Sequence, residues 1–369
     1  MAKTLMAVDA GTGSVRAVLF SLEGEQLGCV QQEWTHREDP RYPGSMDFDW
    51  VHNWDLARGC IRGVIEQTGV DPHDIAAVST TCMREGIVLY DKDGQEIWAC
   101  ANVDARSDDE VAQLVHMNPE LEKQIYRESG QTYALGALPR LFWVKNKMPE
   151  VYEKTAMCTM FNDWLIYKMT GVFSSEPSNA CTTGIFDLKA RDWDDQIAAS
   201  IGLKTGIFPK ISECGTVVAQ VGAKGAAETG LAEGTPVVAG GGDAQLGCVG
   251  VGVVDANQAA IFGGSFWQYE YNTDEAKTDE HCRVRVNCHS VPGIWQYEAL
   301  AFKPGMVMRW YRDAFCQYEK ELSKTTGRDP YDLMNEKAKD IPAGCYGMMC
   351  AFSDVMNYIS WRHASPMFI

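Results

Sequence analysis

The chain begins with three short apolar segments separated by polar or glycine-rich turns. Leu5–Asp9 and Ala17–Phe20 flank a turn that contains two glycines, and Leu27–Gln31 follows the polar turn at residues 22–25. Short apolar segments joined by such turns are typical of neighbouring antiparallel strands. The pattern therefore predicts a three-stranded meander, and not a strand that feeds directly into a helix.

The middle of the chain combines helical periodicity with a few further strands. Apolar residues recur at helical spacing in one long segment, and most of the chain from residue 108 to about residue 202 has helical character. A turn at residues 91–94 separates two apolar segments and predicts a hairpin. The predicted helices include Trp50–Thr68, Pro139–Asn146 and Asn162–Met169, and the predicted strands are Ile75–Thr80, Ile87–Tyr90, Ile97–Ala99 and Thr235–Gly240.

The last third of the chain repeats the order of elements at its start: a strand, a turn of small residues, further strands and a helix. No low-complexity linker separates the two parts, so we place the boundary near Val253 from the pattern alone. This division predicts two domains, residues 1–253 and residues 254–369. The predicted strands of the second part are Gln258–Phe262, Trp267–Tyr271, Arg283–Cys288 and Trp295–Ala301, and the predicted helix is Gly305–Glu321.

Composition agrees with a globular protein of this size and argues against several partners. The 369 residues allow two domains, and 46% hydrophobic with 22% charged residues is an ordinary soluble balance. The formal net charge of −17, with no run of Lys or Arg, argues against nucleic acid and anionic membranes. No segment approaches the ~20 apolar residues of a membrane span, and the N-terminus lacks the apolar core of a secretory signal. We therefore expect a cytoplasmic protein whose thirteen scattered cysteines are reduced.

The first turn has the composition of a phosphate-binding loop. It reads Asp9-Ala10-Gly11-Thr12-Gly13-Ser14-Val15-Arg16. Two glycines allow a tight turn with inward N–H groups, and two hydroxyl side chains add donors, which together suit the terminal phosphates of a nucleotide. Asp9, at the end of the strand, suits Mg²⁺ held through water. By itself the motif is equally compatible with a simple hairpin turn.

A second candidate is the acid that follows three glycines in the run Gly240-Gly241-Gly242-Asp243-Ala244-Gln245. A carboxylate exposed at the end of a buried strand can take the proton of a substrate hydroxyl while phosphate is transferred. Asp243 is also a good N-cap for a helix that begins near Ala244, and the two roles do not exclude each other.

A third turn, Phe262-Gly263-Gly264-Ser265-Phe266, mirrors the first. Its N–H groups and the Ser265 hydroxyl are a second set of donors for phosphate. Alone, this turn would be interpreted as a β-bulge or a hairpin turn. Two phosphate loops, one at the front of each part, with an acid between them, are the organisation of the actin-like ATPase fold.

The chain resembles the FGGY carbohydrate kinases, and within that family it is most similar to the bacterial autoinducer-2 kinases. The resemblance runs from about Leu5 to the last residue and rests on long, collinear motifs. These motifs are residues 9–14, 83–90, 97–106, 177–180, 240–245, 263–268 and 308–316. The resemblance implies an actin-like (ribonuclease H-like) α/β fold of two domains, of which the second is incomplete.

The resemblance also implies roles for individual residues. Asp243 would be the general base, and the phosphates of ATP would be held by both loops. Asp9 would organise Mg²⁺, and Arg16 would support the first loop. The implied phosphate-binding residues are Gly11, Thr12, Gly13 and Ser14 in the first domain, and Gly264 and Ser265 in the second.

The implied substrate residues are Met83, Arg84 and Glu85, together with Asp243 and Gln245. Glycerol kinases have an Arg-Glu pair at this position on the substrate hydroxyls, whereas xylulose kinases have a Met-His pair, so the resemblance favours a short polyol-like substrate over a pentulose. Arginine donates to hydroxyl and carbonyl oxygens and a carboxylate accepts from hydroxyls. The implied substrate is the quorum-sensing signal 4,5-dihydroxypentane-2,3-dione in its open-chain form, phosphorylated at C5. The other interpretation of the pair is a local surface ion pair.

Three functions stay open from the sequence. The first is a kinase for this dione or for another substrate of the family, of the glycerol, xylulose or gluconate type. The second is a ligand-binding form without turnover, since family members continue into a Gly-rich adenosine loop and a further helix beyond the point where this sequence stops. The third is a different actin-like ATPase such as a chaperone, which the motifs at 83–90 and 240–245 disfavour. An incomplete second domain is expected to expose an apolar sheet face and to self-associate.

Overall fold

The structure of the protein, a computed structural model, describes residues 3–134, 136–263, 267–301, 304–351 and 367–368. Its strands and helices are numbered here in chain order. The strands are β1 (Thr4–Ala10), β2 (Ser14–Ser21), β3 (Gln26–Glu33), β4 (Ile75–Cys82), β5 (Ile87–Tyr90), β6 (Glu96–Cys100), β7 (Met157–Thr159), β8 (Phe186–Asp187), β9 (Asp192–Trp193), β10 (Val217–Gln220), β11 (Pro236–Gly242), β12 (Ala259–Gly263), β13 (Trp267–Thr273), β14 (Arg285–Cys288), β15 (Trp295–Ala301), β16 (Cys350–Ala351) and β17 (Met367–Phe368). The α-helices are α1 (Trp50–Thr68), α2 (Asp108–Met117), α3 (Leu121–Ser129), α4 (Ala137–Lys147), α5 (Pro149–Lys154), α6 (Phe161–Thr170), α7 (Pro177–Ala180), α8 (Asp195–Ser200), α9 (Ala223–Thr229), α10 (Asp243–Gly250), α11 (Pro304–Phe315), α12 (Gln317–Thr326) and α13 (Pro330–Ala338).

A six-stranded mixed sheet, called here the first sheet, is the framework of the first part of the chain. Its strand order is β10-β11-β4-β1-β2-β3, with β1, β4 and β11 parallel and the other neighbours antiparallel. The three N-terminal strands form the predicted meander, and each extends beyond the apolar segment that predicted it. Because parallel strands present their carboxyl ends at one edge, the residues that follow β1, β4 and β11 meet there.

Helix α1 covers the first sheet and has the predicted bounds at both ends. Asp49 caps its first turn by accepting a hydrogen bond from the N–H of His52, and Gly69 ends it at a φ of +64°, where glycine is unstrained. Trp54 and Ile61 are among its buried residues, and the helix packs against β2 and β3. One apolar core is thereby shared by the sheet and the helix.

The predicted helical segment forms a separate layer in the first part of the chain. Helices α2 to α8 accompany the small sheet β6-β5-β7, whose strands β5 and β6 are the predicted hairpin. Helices α2 to α5 and α8 share an apolar core that includes Leu89, Trp143 and Ile185, whereas α6 contributes Trp164 to the core beneath α1. Strand β5 joins the two cores, because Leu89 belongs to the core of α2 to α5 and α8, and Tyr90 to the one beneath α1.

The second sheet is entirely antiparallel and has the order β12-β13-β15-β14. Its strands follow the predicted segments, except that β14 begins at Arg285 and not at Arg283. The order of the elements repeats as predicted, but the pairing differs from that of the N-terminal meander: β13 pairs with β15, and β14 lies at the far edge. The loop between β13 and β14 is long enough to carry the chain past the position that β15 later occupies.

The predicted helix Gly305–Glu321 is wrong as a single element. Helix α11 ends at Phe315 and helix α12 begins at Gln317. Cys316 between them has φ −108° and ψ 49°, outside the helical region, so the axis breaks there. Apolar and polar residues keep their helical spacing through the break, and for this reason the pattern did not reveal it.

None of the helices in the described ranges has the length and apolar character needed to cross a membrane. The thirteen cysteines are free thiols, and most of them are buried, as their apolar neighbours predicted. Among the same described residues, no group of three or more metal-ligating side chains is found.

Candidate active site

Charged residues from distant parts of the sequence meet at the carboxyl ends of β1, β4 and β11. Asp9 on β1 is in register with Thr81 on β4, and Thr81 is in register with Gly241 on β11. Arg84 comes two residues after β4 ends, and Asp243 follows β11 directly. The parallel topology therefore brings the predicted metal, substrate and base positions to one edge of the sheet.

The glycines before Asp243 are required by the packing of the protein itself. A side-chain carbon at Gly240 would lie 1.5 Å from the carbonyl oxygen of Thr80, and one at Gly242 would lie 3.0 Å from Cδ of Arg84. Residues without side chains let β11 lie closely against β4 while Arg84 folds over the strand end. The glycine run thus fixes how near Arg84 approaches the base.

Asp243 is the first residue of α10, and Gly242 is the N-cap, so the predicted N-cap role is wrong by one position. Its Oδ1 accepts a hydrogen bond from the N–H of Ala244 at 2.8 Å. The side chain is 49% exposed, so a ligand can reach it. Burial by the surrounding protein nevertheless raises the pKa of Asp243 to about 6, against the opposing effect of Arg84. Both observations describe a carboxylate in a narrow crevice, which is reachable but poorly hydrated.

Arg84 and Glu85 occupy a tight turn between β4 and β5. The N–H of Gly86 donates to the carbonyl of Arg84 at 2.9 Å, and Glu85 has a φ of +67°, which is strained for a residue with a side chain. The guanidinium of Arg140 donates to the carbonyl of Glu85 and holds the turn. Strain of this kind persists only where surrounding contacts impose it, and it is common at functional sites.

The side chains of Arg84 and Glu85 are buried against the second sheet, so their interpretation as a surface ion pair is wrong. Nη2 of Arg84 lies 2.5 Å from Oε2 of Glu298, and its Nε lies 3.5 Å from Oδ1 of Asp243. Oε1 of Glu85 accepts a hydrogen bond from Nη1 of Arg285 at 2.7 Å. Arg84 is only 4% exposed and Glu298 only 1%, and charges buried to this degree need partners.

Glu298 also faces two charged residues of its own sheet. Glu270 on β13 and Arg285 on β14 are its direct cross-strand partners. Burial, and next to it the Glu298 carboxylate, raise the pKa of Glu270 well above its usual range. Burial opposes the charge of Glu298 too, but Arg84 and Arg285 outweigh it and lower the pKa of Glu298. Of the two carboxyl groups, Glu270 is therefore the one that retains a proton more readily.

Several buried polar atoms at this edge have no partner within the described residues. They are Nη1 of Arg84 and both polar atoms of the Gln245 amide. Gln245 is in the first turn of α10, close to Asp243, and is fully buried. Buried polar atoms without partners are costly, so a polar ligand that pairs with them is expected here.

Met83, the remaining predicted substrate residue, does not reach this edge. It packs among the buried apolar side chains beneath α1. Its N–H donates to the carbonyl of Ala10 at 2.8 Å, which joins the end of β4 to that of β1. Met83 therefore contributes to the core, and its contact with the substrate stays a prediction.

The first turn is anchored by its carbonyl groups. Nε1 of Trp34 donates to the carbonyls of Gly11 and Thr12 at 3.0 and 3.2 Å. In the part of the chain that the structure describes, the N–H groups of Thr12 and Gly13 have no hydrogen-bond partner. Oγ1 of Thr12 accepts from Asn102 at 3.0 Å and so keeps its own hydrogen to donate. Donors that face outward while the carbonyls face inward suit an anion.

The sequence predicted a tight turn that depends on the conformational freedom of its two glycines, but the structure does not use that freedom. Neither Gly11 nor Gly13 has a positive φ. A side-chain carbon at Gly13 would meet no protein atom within 4 Å, so the position is open to another molecule. Oγ of Ser14 accepts from Nε2 of Gln31 at 3.1 Å and likewise keeps its hydrogen.

Asp9 and Arg16 are cross-strand partners and form an ion pair. Nη2 and Nε of Arg16 lie 2.8 and 2.9 Å from Oδ2 of Asp9. Burial raises the pKa of Asp9, and Arg16 acts in the opposite direction. The charge of Asp9 also contributes to the raised pKa of Asp243, so both carboxylates face one crevice. The pair leaves Oδ1 of Asp9 for a hydrated cation, which fits the way Mg²⁺ is usually bound.

Gly264 and Ser265, the predicted donors of the second phosphate loop, lie outside the described residues. Strand β12 ends at Gly263, which pairs with Trp267 at the start of β13.

Sequence reasoning missed Glu270, Arg285 and Glu298. A signal was present, because acidic and amide residues alternate with aromatic residues along β13 and β15. Such alternation is usually interpreted as an apolar face in the core and a polar face in water. Here the polar face is buried, and Trp267 and Tyr269 on the other face are 46% and 45% exposed.

Solved structures show which fold the chain adopts. The gluconate kinase of Lactobacillus acidophilus superposes with a TM-score of 0.85 at 20% identity, and the xylulose kinase of Rhodospirillum rubrum with 0.84 at 22%. Both comparisons cover 100% of this chain and 72% of the other. Likeness at this level of identity concerns the fold, and it confirms the predicted actin-like (ribonuclease H-like) α/β fold.

Comparison with other protein sequences identifies the family within this fold. The model of the FGGY family of carbohydrate kinases, N-terminal domain, matches residues 4–250. The autoinducer-2 kinase of Klebsiella pneumoniae is 48% identical over 366 residues, which are 99% of this chain and 69% of that protein. The chain belongs to the FGGY family of carbohydrate kinases, as its motifs indicated. Membership makes it a phosphotransferase and implies ATP as the phosphoryl donor.

Proposed function

We propose that the protein transfers the γ-phosphoryl group of ATP to the terminal C5 hydroxyl of autoinducer-2 in its open-chain form, 4,5-dihydroxypentane-2,3-dione. The 48% identity to an autoinducer-2 kinase over nearly the whole chain supports this substrate. The observation that carries the reaction is Asp243, a reachable carboxylate with a pKa of about 6 beside Arg84. Such a group is ionised at neutral pH and is still basic enough to accept a proton.

In the proposed step the C5 oxygen attacks the γ-phosphorus and the bond from this phosphorus to the bridging oxygen breaks. The proton of the hydroxyl passes to Asp243, so the products are a phosphate monoester, ADP and a protonated carboxyl group that later releases its proton to water. Little covalent chemistry is needed from the protein. Its contribution is to align the hydroxyl with the phosphate and to stabilise the charge.

The substrate is oriented by polar atoms that lack protein partners. Nη1 of Arg84 and the amide of Gln245 pair with the carbonyl and hydroxyl oxygens of the dione, which supplies what these buried atoms lack among the described residues. Glu85 accepts from a substrate hydroxyl through Oε2, because its Oε1 is engaged by Arg285.

The phosphates of ATP bind to the first turn. The N–H groups of Thr12 and Gly13 and the hydroxyls of Thr12 and Ser14 are the donors, and Gly11 and Arg16 shape and support the turn. Gly264 and Ser265 complete the set from the second loop. Asp9 would hold Mg²⁺ through water by Oδ1, and the metal supplies neutralisation of phosphate charge.

Phosphorylation of the dione by the full chain tests this function. The chain is incubated with ATP, Mg²⁺ and the dione, and ³¹P NMR is expected to detect a new phosphate monoester. Glycerol, xylulose and gluconate are assayed in parallel, and a higher kcat/KM for any of them would overturn the dione assignment. Binding of the dione in calorimetry without ester formation would instead identify a ligand-binding form.

We also propose the domain division near Val253, which the family model's end at residue 250 supports. We expect the reaction to take place in the cytoplasm. Self-association is a further proposal, because Ile261, Trp267 and Tyr269 on the outer face of the second sheet are 67%, 46% and 45% exposed. Sedimentation at rising concentration tests it, and a monomer throughout would contradict it.

A further inference from the structure

Two buried ion pairs join the turn after β4 to the second sheet. Arg84 pairs with Glu298 at 2.5 Å, and its neighbour Glu85 pairs with Arg285 at 2.7 Å. The pairs have opposite polarity, since the cation lies on the turn in one and on the sheet in the other. Arg285 and Glu298 are cross-strand partners. If the turn docked in a different register, so that Arg84 faced Arg285 and Glu85 faced Glu298, like charges would oppose each other. The pairs therefore specify how the second sheet docks.

Arg84 uses its guanidinium in three directions. Nη2 contacts Glu298 at 2.5 Å and Nε lies 3.5 Å from Asp243, while Nη1 is buried without a partner in the described ranges. The guanidinium is planar and its N–H groups have fixed directions. Fixing Nη2 therefore determines where Nη1 and Nε point.

We propose that Glu298 is a positioning residue for substrate recognition: by holding Nη2 of Arg84, it aims Nη1 at the substrate and prevents Arg84 from closing onto Asp243. This inference rests on the proposed function of Arg84 and Asp243. It makes the substrate site depend on the second sheet, although the residues proposed to bind the substrate follow strands β4 and β11 of the first sheet. The site is complete only when the two sheets are docked.

The neutral carboxyl group of Glu270 supports this arrangement. Glu270 lies opposite Glu298 on the neighbouring strand, and the positive charge of Arg84 acts on both. A second carboxylate here would compete with Glu298 for the guanidinium. The contact of Nη2 of Arg84 is with Glu298, at 2.5 Å, and the raised pKa of Glu270 favours the same partner.

A change at Glu298 is expected to alter the pKa of Asp243 through Arg84. The charged groups that act most strongly on Asp243 are Arg84, Glu85 and Asp9, and Glu298 is not among them. If Glu298 loses its charge, Arg84 is free to approach Asp243 and to lower its pKa. A purely structural role of Glu298 predicts no such change.

The first experiment needs no ligand. The Asp243 carboxyl group is titrated by ¹³C NMR in the unliganded full chain, with its signal assigned by Asp243→Asn. Glu298→Gln, which keeps the shape and removes the charge, should lower the pKa of Asp243 by about one unit. In an Arg84→Met background the same substitution should have no effect. An unchanged pKa, or an equal fall in the Arg84→Met background, would overturn the proposal.

Glu298→Asp serves as the second variant if Glu298→Gln does not fold. Its shorter carboxylate keeps the charge but cannot hold Nη2 at the same distance, so the pKa of Asp243 should fall in the same direction by a smaller amount. No fall in this variant would contradict positioning by contact.

The second experiment measures the Kd of the dione by calorimetry. Glu298→Gln should weaken binding about tenfold, and the double variant with Arg84→Ala should bind no more weakly than Arg84→Ala alone. Additive effects would overturn the proposal. The control is Glu96→Gln, a partly buried carboxylate that pairs with Lys168 at 2.8 Å away from the site, and it should leave Kd unchanged. Failure of the wild-type chain to bind the dione would refute the proposed substrate, while the titration still decides the role of Glu298.

Discussion

Oδ1 of Asp243 lies 3.5 Å from Nε of Arg84, within reach of attraction but longer than a charge-assisted hydrogen bond. This separation decides the chemistry of the carboxylate. Burial raises the pKa of Asp243 to about 6 although Arg84 opposes the shift. A guanidinium in direct contact would lower the pKa further and weaken the base. The contact of Arg84 with Glu298 keeps the two groups apart.

The first prediction concerns pH. In the proposed reaction Asp243 must be ionised to accept the hydroxyl proton, so kcat/KM should fall as the pH decreases through about 6. An aspartate with its usual pKa of about 3.9 would place this loss roughly two units lower. A coupled assay of ADP release between about pH 5 and pH 8 measures the profile. A rate that is constant down to pH 5 would contradict the assignment of the base.

The second prediction is that Asp243→Asn abolishes transfer but not binding. The amide has nearly the same shape and cannot accept the proton, so kcat should fall by about 10²–10⁴-fold. The Kd of the dione in calorimetry should change little. Asp279→Asn is the matched control, because Asp279 also pairs with an arginine, Arg283, at 2.9 Å, and should leave kcat unchanged. Near-normal turnover of Asp243→Asn would refute its role.

The third prediction separates binding from stability at Arg84. Arg84→Ala should raise the KM of the dione about ten- to a hundredfold, since charged hydrogen bonds contribute roughly 1.5–3 kcal/mol. It should also destabilise the fold by about 3–5 kcal/mol, because Glu298 is left buried without this partner.

The double variant Arg84→Met with Glu298→Gln provides the control for this prediction. It removes both charges of the pair, so much of the stability measured by urea unfolding should return while the KM stays high. Recovery of the KM together with stability would show that Arg84 acts only in folding.

The fold follows from the sequence wherever local patterns decide the structure. Helix α1 has the predicted bounds because its apolar spacing lies between a capping aspartate, Asp49, and a left-handed glycine, Gly69. The residues that meet at the edge of the first sheet could also be predicted from the sequence. Asp9 and Asp243 each end or follow a buried strand, and parallel strands bring such ends together.

The pairing of the buried charges could not be predicted from local sequence patterns in this way. Whether the alternating face of β13 and β15 is buried depends on what docks against it, which no local pattern reveals. The partners of Arg84 and Glu85 come from Glu298 and Arg285, about 200 residues away along the chain, and only the tertiary structure pairs them. Met83, next to Arg84 in the chain, likewise has a burial that the motif did not reveal, because its side chain packs in the core.

The fourth prediction concerns the first phosphate loop. A side chain at Gly13 meets no protein atom, so Gly13→Val should fold normally but block the approach of phosphate to the turn. The affinity for Mg-ATP, measured by calorimetry, should fall at least about tenfold, whereas the thermal midpoint should hardly change. Gly59→Ala is the control: this glycine in α1 is also unobstructed, and the substitution should stabilise by about 0.5–1 kcal/mol without affecting ATP. Unchanged ATP affinity in Gly13→Val would contradict the assignment of the loop.

The last prediction uses the proton on Glu270, whose pKa is raised well above its usual range by burial and by Glu298. A carboxyl group with a higher pKa in the folded than in the unfolded chain stabilises the protein fully only at low pH, and this stability is lost as the pH rises toward the folded pKa. Glu270→Gln keeps a neutral donor opposite Glu298 and removes this dependence, so its free energy of unfolding relative to wild type should increase from about pH 5 to pH 8. Urea unfolding at both values measures the difference, and Gln296→Asn, a non-titrating change on the same sheet face, should show a constant offset. An equal offset for Glu270→Gln would mean that Glu270 is ionised in the folded protein and competes for Arg84.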